Sequence, residues 1–351
     1  MSYLLMKMIT GGVGMNTEEL KVGYESALGF WRGVRAASEG NSILEAEGHV
    51  YGSAPLRADN LARRALVLCG GEPPLSVAIT PGQSRHHNVL IQDRVWKGRL
   101  GPEQVFDFGD GVLVCRMPAV LAQMGATLDE VELAQIAHEM SGTYGLTPWT
   151  DEDAAQDLSA LVDVGELRGY ALSAHALGAR GAAQAASALS LVVGGSNSPS
   201  ETDISILLML SRRKGGYHLP GFALNKTLAV PKELWEVVGS RSLTPDFFWP
   251  CRHVVEFNSR RHHGGSRKNE HDEARRRIFE RMDLTMQTLT TDVLHSDIKL
   301  AAFMDDLAGY LKRRRHPASE DVLQSQRQLR NRLFGPEETA VALRRLQEFP
   351  D

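Results

Sequence analysis

Thr244-Pro-Asp-Phe-Phe-Trp-Pro-Cys-Arg-His-Val-Val-Glu-Phe-Asn258 consists of two apolar runs joined by a turn centred on Pro250-Cys251-Arg252. Short runs of Phe, Trp and Val bounded by turn residues read as strands, here 243–249 and 253–258, and so brief a connection makes them antiparallel neighbours. Asp246 and Glu256 lie equally far on either side of Cys251, which sets them opposite one another with Cβ atoms about 5 Å apart. Phe247, Phe248, Trp249, Val254, Val255 and Phe257 make both strands apolar on both faces, the pattern of a sheet covered on two sides. A carboxylate pair in such a sheet has to be neutralised. The separation suits one hard divalent cation, Mg2+ or Mn2+, bound through oxygen atoms with waters left for substrate. Alternation along the strand puts Asn258 on the face of Glu256 and turns Phe257 away, so that the Phe257 carbonyl becomes a further candidate ligand. The competing reading places Asp246 in a turn and pairs Glu256 with an arginine on an exposed face.

Upstream of the hairpin, Ser198-Pro199-Ser200-Glu201 forms a capping box opening a helix over 199–213, with Ser198 as N-cap and Glu201 in the first turn. That role accounts for Glu201 without chemistry. Glu201 also shares a helix face with Ile204 and Leu208, which would bring its carboxylate toward the same metal. A strand over 222–230 follows the helix. Downstream come a basic helix over 267–282, a strand over 284–289 and a helix over 296–312, giving the order α-β-β-β-α-β with a mixed sheet.

The segment 252–281 carries nine basic residues, five acidic ones and four histidines. Arg260, Arg261, His262 and His263 directly follow the second strand, and Arg267, Lys268, Asp272, Arg275 and Arg276 lie on or before the next helix. Cations at a strand end would hold a phosphate, and a histidine there would position water or protonate a leaving group. The plain alternative is a basic loop and a solvated helix face.

Toward the N-terminus, residues 17–39 show helical spacing at Leu20, Tyr24, Leu28, Trp31 and Val34. A helix over 59–68, strands at 75–80, 89–92 and 111–116, and a helix over 129–141 complete a smaller α+β domain over residues 1–150. Residues 151–195, rich in Ala and Gly, predict a connector of two helices, near 153–164 and 168–192. Gly194 to Pro199 is the clearest boundary, and the second domain runs over 196–316. A C-terminal extension, 317–351, predicts two short polar helices.

The chain has 351 residues, 42% hydrophobic and 23% charged, enough for two cores. Its net charge of −4 hides an asymmetry: residues 1–200 hold 14 Lys and Arg against 22 Asp and Glu, and residues 201–351 hold 25 against 21. The basic half surrounds the hairpin, which favours a polyanionic partner, DNA first and RNA second. Cys69, Cys115 and Cys251 are widely spaced, against a zinc ribbon or disulfide framework. No apolar run reaches membrane-span length and no signal peptide is evident, so a cytoplasmic, non-membrane protein is expected. Gly11-Gly12-Val13-Gly14 lacks the strand and Lys-Ser/Thr of a phosphate loop. His86-His87 lacks acidic or thiol partners at metal spacing.

GGSNSPSETDISILLML, RRKGGYHLPGFALN, TPDFFWP, HVVEFNS and HDEARRRIF together resemble bacterial proteins whose C-terminal domain is similar to the very-short-patch-repair endonuclease, over about residues 194–295. The hairpin itself nearly spells the PD-(D/E)xK nuclease motif, with Asn258 in the place of its lysine. The resemblance implies a restriction-endonuclease-like fold and Mg2+- or Mn2+-dependent DNA cleavage in defence or repair. By position it implies site roles for Glu201, Asp246, Glu256, His262 or His263, and Asp272 with Arg275. Asn258-Ser259 replaces the usual Asp-Gly, so a charge and a general base are missing. SALGFWRGVR, LSVAITP and HEMSGTYGL resemble relatives of the AbiEi abortive-infection antitoxin. Two further functions therefore stand beside an endonuclease: a nucleic-acid-binding protein that has lost its chemistry, and an antitoxin-like regulator acting through protein contacts. A dimer would suit double-strand cleavage.

Overall fold

The computed structural model describes residues 19–37, 58–109, 111–146, 154–258, 275–314 and 317–335. The chain is a mixed α+β protein that divides into two compact units, one of Met1–Met140 with Tyr144–Ser190 and one of Ser141–Thr143 with Leu191–Asp351.

The first unit is built on a five-stranded sheet ordered β3-β2-β1-β5-β4, comprising β1 (Leu20–Val22), β2 (Leu75–Ile79), β3 (Ile91–Val95), β4 (Val105–Gly109) and β5 (Val112–Cys115). β1 runs parallel to β5 and antiparallel to β2. The single helix expected over 17–39 is therefore corrected. Leu20 and Val22 are buried strand residues in mid-sheet, and helix α1 (Tyr24–Ala37) begins only after a reversal at Gly23 and Tyr24. Tyr24 has φ +55° and donates its backbone N–H to Gln123 Oε1 at 2.9 Å. Gly23 is required there because a Cβ would stand 2.6 Å from that same oxygen.

Helices α2 (Ala58–Cys69) and α4 (Glu130–Ser141) lie where the spacing predicts them. Helix α3 (Met117–Met124) is buried at every residue and follows β5 directly. Residues 154–163 are not helical, and the second connector helix is broken into α5 (Val164–Ala176) and α6 (Ala182–Ala188). Both pack on α3, so this stretch belongs to the first unit and is no free connector. The break is dictated by Gly181, at φ +93°, where a Cβ would come within 2.3 Å of the Ala126 backbone nitrogen.

In the second unit, α7 (Pro199–Met209) precedes a four-stranded sheet ordered β11-β10-β9-β6. Its strands are β6 (Ala223–Leu224), β9 (Phe247–Trp249), β10 (His253–Asn258) and β11 (Thr285–Thr290). β9 is antiparallel to both neighbours and β10 is parallel to β11. The hairpin register is the one counted from the turn, with Val255 opposite Phe247 and His253 opposite Trp249. The strand expected over 222–230 is split at Asn225 into β6 and β7 (Leu228–Ala229). The strand expected over 243–249 is split at Thr244-Pro245 into β8 (Ser242–Leu243) and β9; β7 and β8 pair apart from the main sheet, on either side of the short helix α8 (Trp235–Val238).

One face of the main sheet packs Val254 with Phe248 against Phe279 and Leu284; Phe279 lies on helix α9, described over 275–281. The opposite face carries the rings of Phe222, Phe247 and Trp249, with His253 stacked on Tyr310 at 4.6 Å. Tyr310 ends α11 (Asp297–Tyr310), which follows the short α10 (Thr291–Leu294). The sheet is thus covered on both sides, as its apolar composition requires. The C-terminal extension supplies one described helix, α12 (Glu320–Phe334). It is tied to α11 by Arg330 and Arg327 on Asp297, and it sits so close to Gly215 that a Cβ there would meet the Ser325 carbonyl at 2.3 Å. Among the described residues no helix is long and apolar enough to cross a membrane.

Candidate functional site

Glu201 sits in the first turn of α7, where Ser198 caps the helix by accepting the Glu201 N–H at 3.2 Å and returns its own hydroxyl to Glu201 Oε1 at 3.0 Å. The other carboxylate oxygen, Oε2, accepts the Asn197 N–H at 2.9 Å and the Asn225 amide at 2.5 Å. The capping box exists, and it does not consume Glu201's whole role. The carboxylate is buried and its proton affinity is raised, first by burial and next, among the raising influences, by the charge of Asp246; the Asn197, Asn225 and Ser198 donors oppose the rise.

Asn225 links the elements. Its backbone N–H bonds the Asp246 carbonyl at 3.0 Å, and its side-chain amide bridges the Gly195 carbonyl at 3.0 Å and Glu201. Sequence reasoning does not single out this residue. Its one local signal is that asparagine tolerates the left-handed conformation found here, φ +47°.

Asp246 immediately precedes β9 and accepts the Phe257 N–H on Oδ2 at 2.7 Å. Burial raises its proton affinity, while the Phe257 N–H and Arg275 work against the rise. The N–H and C=O of one strand residue project to the same side, so the Phe257 carbonyl faces the edge where Asp246 lies. Glu256, on β10, forms an ion pair with Arg275 of α9, Oε1 to Nη2 at 3.0 Å, with side-chain exposures of 14% and 28%. Arg275 also donates to the Thr244 carbonyl at 2.9 Å and lies over the Phe279 ring at 5.6 Å. The arginine pairing weighed for Glu256 is therefore present, on a part-buried face and not an exposed one.

The charge of Asp246 thus acts on Glu201, and Glu256 lies on the next strand with Arg275 between it and the Thr244-Pro245 turn. Asn258 ends β10, half-buried, and Arg276 is exposed on α9. His262, His263, Arg260, Arg261, Arg267, Lys268 and Asp272 lie outside the described residues. Among the described residues no group of three or more His, Cys, Asp or Glu side chains stands in metal-holding proximity. The carboxylates are engaged by Asn197, Ser198, Asn225, Phe257 and Arg275.

Two other motifs are placed by the structure. His86 has an acidic partner, contrary to expectation: its Nδ1 lies 2.7 Å from Asp93 Oδ1 and its N–H bonds Oδ2 at 2.6 Å, which fastens the 85–88 loop to β3. Cys69 and Cys115 are buried free thiols and Cys251 is exposed and free. Comparison of the chain with protein-family models, curated proteins and solved structures gives no match.

Proposed function

We propose that the second unit is a Mg2+- or Mn2+-dependent DNA endonuclease with a restriction-endonuclease-like α-β-β-β-α-β core. The observation that carries the reading is the partly desolvated pair Glu201 and Asp246, linked through Asn225 and with Asp246 raising the proton affinity of Glu201, while Glu256 follows the last hairpin pair, Val255 with Phe247. The donor set is all oxygen, which is the chemistry a hard divalent cation takes. Asp246 and Glu256, with the Phe257 carbonyl, would hold the cation, and Glu201 would support it. When bound, the cation supplies charge neutralisation and water activation for in-line attack on a phosphodiester. Arg275, within reach of Glu256 and Thr244, then binds the phosphate. Asn258 adds a carbonyl oxygen and no base, leaving proton removal to the other carboxylates or to the histidines after β10. The test is plasmid cleavage with Mg2+ or Mn2+ by wild type, Asp246→Ala and Glu256→Ala. Cutting that both substitutions abolish is expected; nicking that survives both, or none at all, sinks the proposal.

A second reading is favoured by a specific pair of observations, the commitment of Glu256 to Arg275 and the neutral side chain at Asn258. Both suit a protein that binds nucleic acid without cutting it. A gel shift that weakens steeply with salt, without cleavage in either metal, selects this reading.

A further inference from the structure

The first unit contains a cavity of about 600 Å3, lined by Arg85, Arg94, Lys97 and Arg180 together with Tyr24, Val95 and Thr127. Among the described residues its lining has no Asp or Glu. The half of the chain that supplies it is acidic, with 14 Lys and Arg against 22 Asp and Glu over residues 1–200. Four cations converge where the composition offers an excess of anions, and like charges in one cavity repel unless a counter-charge is present.

Among the described residues, Arg94 alone of the four has a counter-ion. Its guanidinium forks onto Glu25 at 2.5 and 3.0 Å, donates to Gln92 Oε1 at 3.0 Å, and lies 4.7 Å over the Tyr24 ring. Arg85, Lys97 and Arg180 are exposed, and among the described residues they form no ion pair. Two of the three stand on pinned backbone. The bonds from His86 to Asp93 hold the Arg85 loop against β3. The close approach of Gly181 to Ala126 fixes the turn that carries Arg180 beside Thr127. A pinned backbone reduces the freedom lost on meeting an anion, which favours binding.

We propose that this cavity binds a phosphorylated small organic molecule of nucleotide size. The volume falls in the range of small-molecule sites, roughly 300–1,000 Å3. Three uncommitted cations match the charge of a di- or triphosphate, and guanidinium groups meet phosphate through paired N–H donors. Tyr24 and Val95 give the organic body an apolar wall. Burial pushes the Tyr24 phenol up to about 12, so it stays neutral beside an anionic ligand.

The experiment is isothermal titration of the full chain with ATP as probe, in EDTA and without nucleic acid, so that its outcome is independent of the hydrolysis proposed for the second unit. Saturable 1:1 binding that weakens with salt is expected. The Arg85→Ala/Arg180→Ala variant should bind roughly 10- to 100-fold more weakly, the loss anticipated for one or two charge-assisted contacts, and Arg85→Lys/Arg180→Lys, which keeps the charge without the paired donors, should recover only part of that loss. An unchanged melting curve checks that the alanine variant folds. Absence of heat with ATP at millimolar concentration, or equal affinity of wild type and the alanine variant, overturns the proposal. Equally tight binding of inorganic tripolyphosphate overturns the assignment to an organic phosphate. A single-stranded oligonucleotide that binds and cannot be displaced by ATP overturns the assignment to a small molecule.

Discussion

Replacing Asn225 tests the joint on which the carboxylate pair depends. Asn225→Ala keeps the backbone bond to Asp246 and removes two side-chain bonds, to Gly195 at 3.0 Å and to the Glu201 carboxylate at 2.5 Å. A neutral bond contributes about 1 kcal/mol and one to a charged acceptor about 1.5–3 kcal/mol. Glu201 retains Asn197 and Ser198 as donors, so the lower part of that range applies. Alanine at φ +47° adds about 1 kcal/mol of backbone strain. The expected loss is about 3–4 kcal/mol, a large share of the roughly 5–15 kcal/mol that holds an ordinary domain. Urea unfolding followed by circular dichroism measures it. Asn225→Gly, which tolerates the dihedral, separates the contributions and should retain about 2–3 kcal/mol of the loss. If the glycine variant unfolds within about 0.5 kcal/mol of wild type, the amide does not hold α7 to the hairpin, and the proximity of Glu201 to Asp246 loses its structural cause.

The raised proton affinities of Glu201 and Asp246 fix the sign of a pH effect: the native state binds more protons than the unfolded chain, so these groups stabilise at low pH and that contribution is lost as pH rises through their native values. Asp246→Asn should therefore stabilise the protein relative to wild type at pH 8 and progressively less toward pH 4, in melting curves recorded without metal; a difference that does not vary with pH contradicts the assignment. Gly215→Ala should cost about 2–4 kcal/mol by pushing against the Ser325 carbonyl at φ +92°. Proteolysis of α12 at native temperature, faster in the variant, reports that loss.

What the sequence made legible follows from local physics. Strand β10 and its register with β9 were readable because a short turn fixes pairing and short runs of Phe, Trp and Val mark both strands. The cap at Ser198 was readable because its partners lie within three residues. β1 was hidden because its three residues precede a helix whose spacing extends back through Leu20. α3 was hidden because it is buried all round and shows no amphipathic period. Asn225 was hidden for a different reason: its partners Gly195 and Glu201 are brought to it by tertiary structure, and no pattern around 225 names them. The split of the Ala-rich stretch into α5 and α6 likewise depends on the approach of Gly181 to Ala126, a contact made across the fold.

The charge within the candidate site connects its acid-base behaviour to its proposed chemistry. Glu201, Asp246 and Glu256 carry three negative charges when ionised, and Arg275, the cation paired with Glu256 and opposing the rise at Asp246, supplies one positive charge. Among the described residues, two of these negative charges have no ion-paired cation in a partly desolvated setting. Protons answer that excess at low pH, which is why burial raises both Glu201 and Asp246. Under the proposed function, one divalent cation would answer it at neutral pH, with the deprotonated carboxylates as its ligands. Protons and metal then compete for the same oxygens. The pH dependence of stability in wild type without metal and the proposed metal dependence of cleavage would accordingly read one quantity, and Asp246→Asn, by removing half of the excess, should diminish both together.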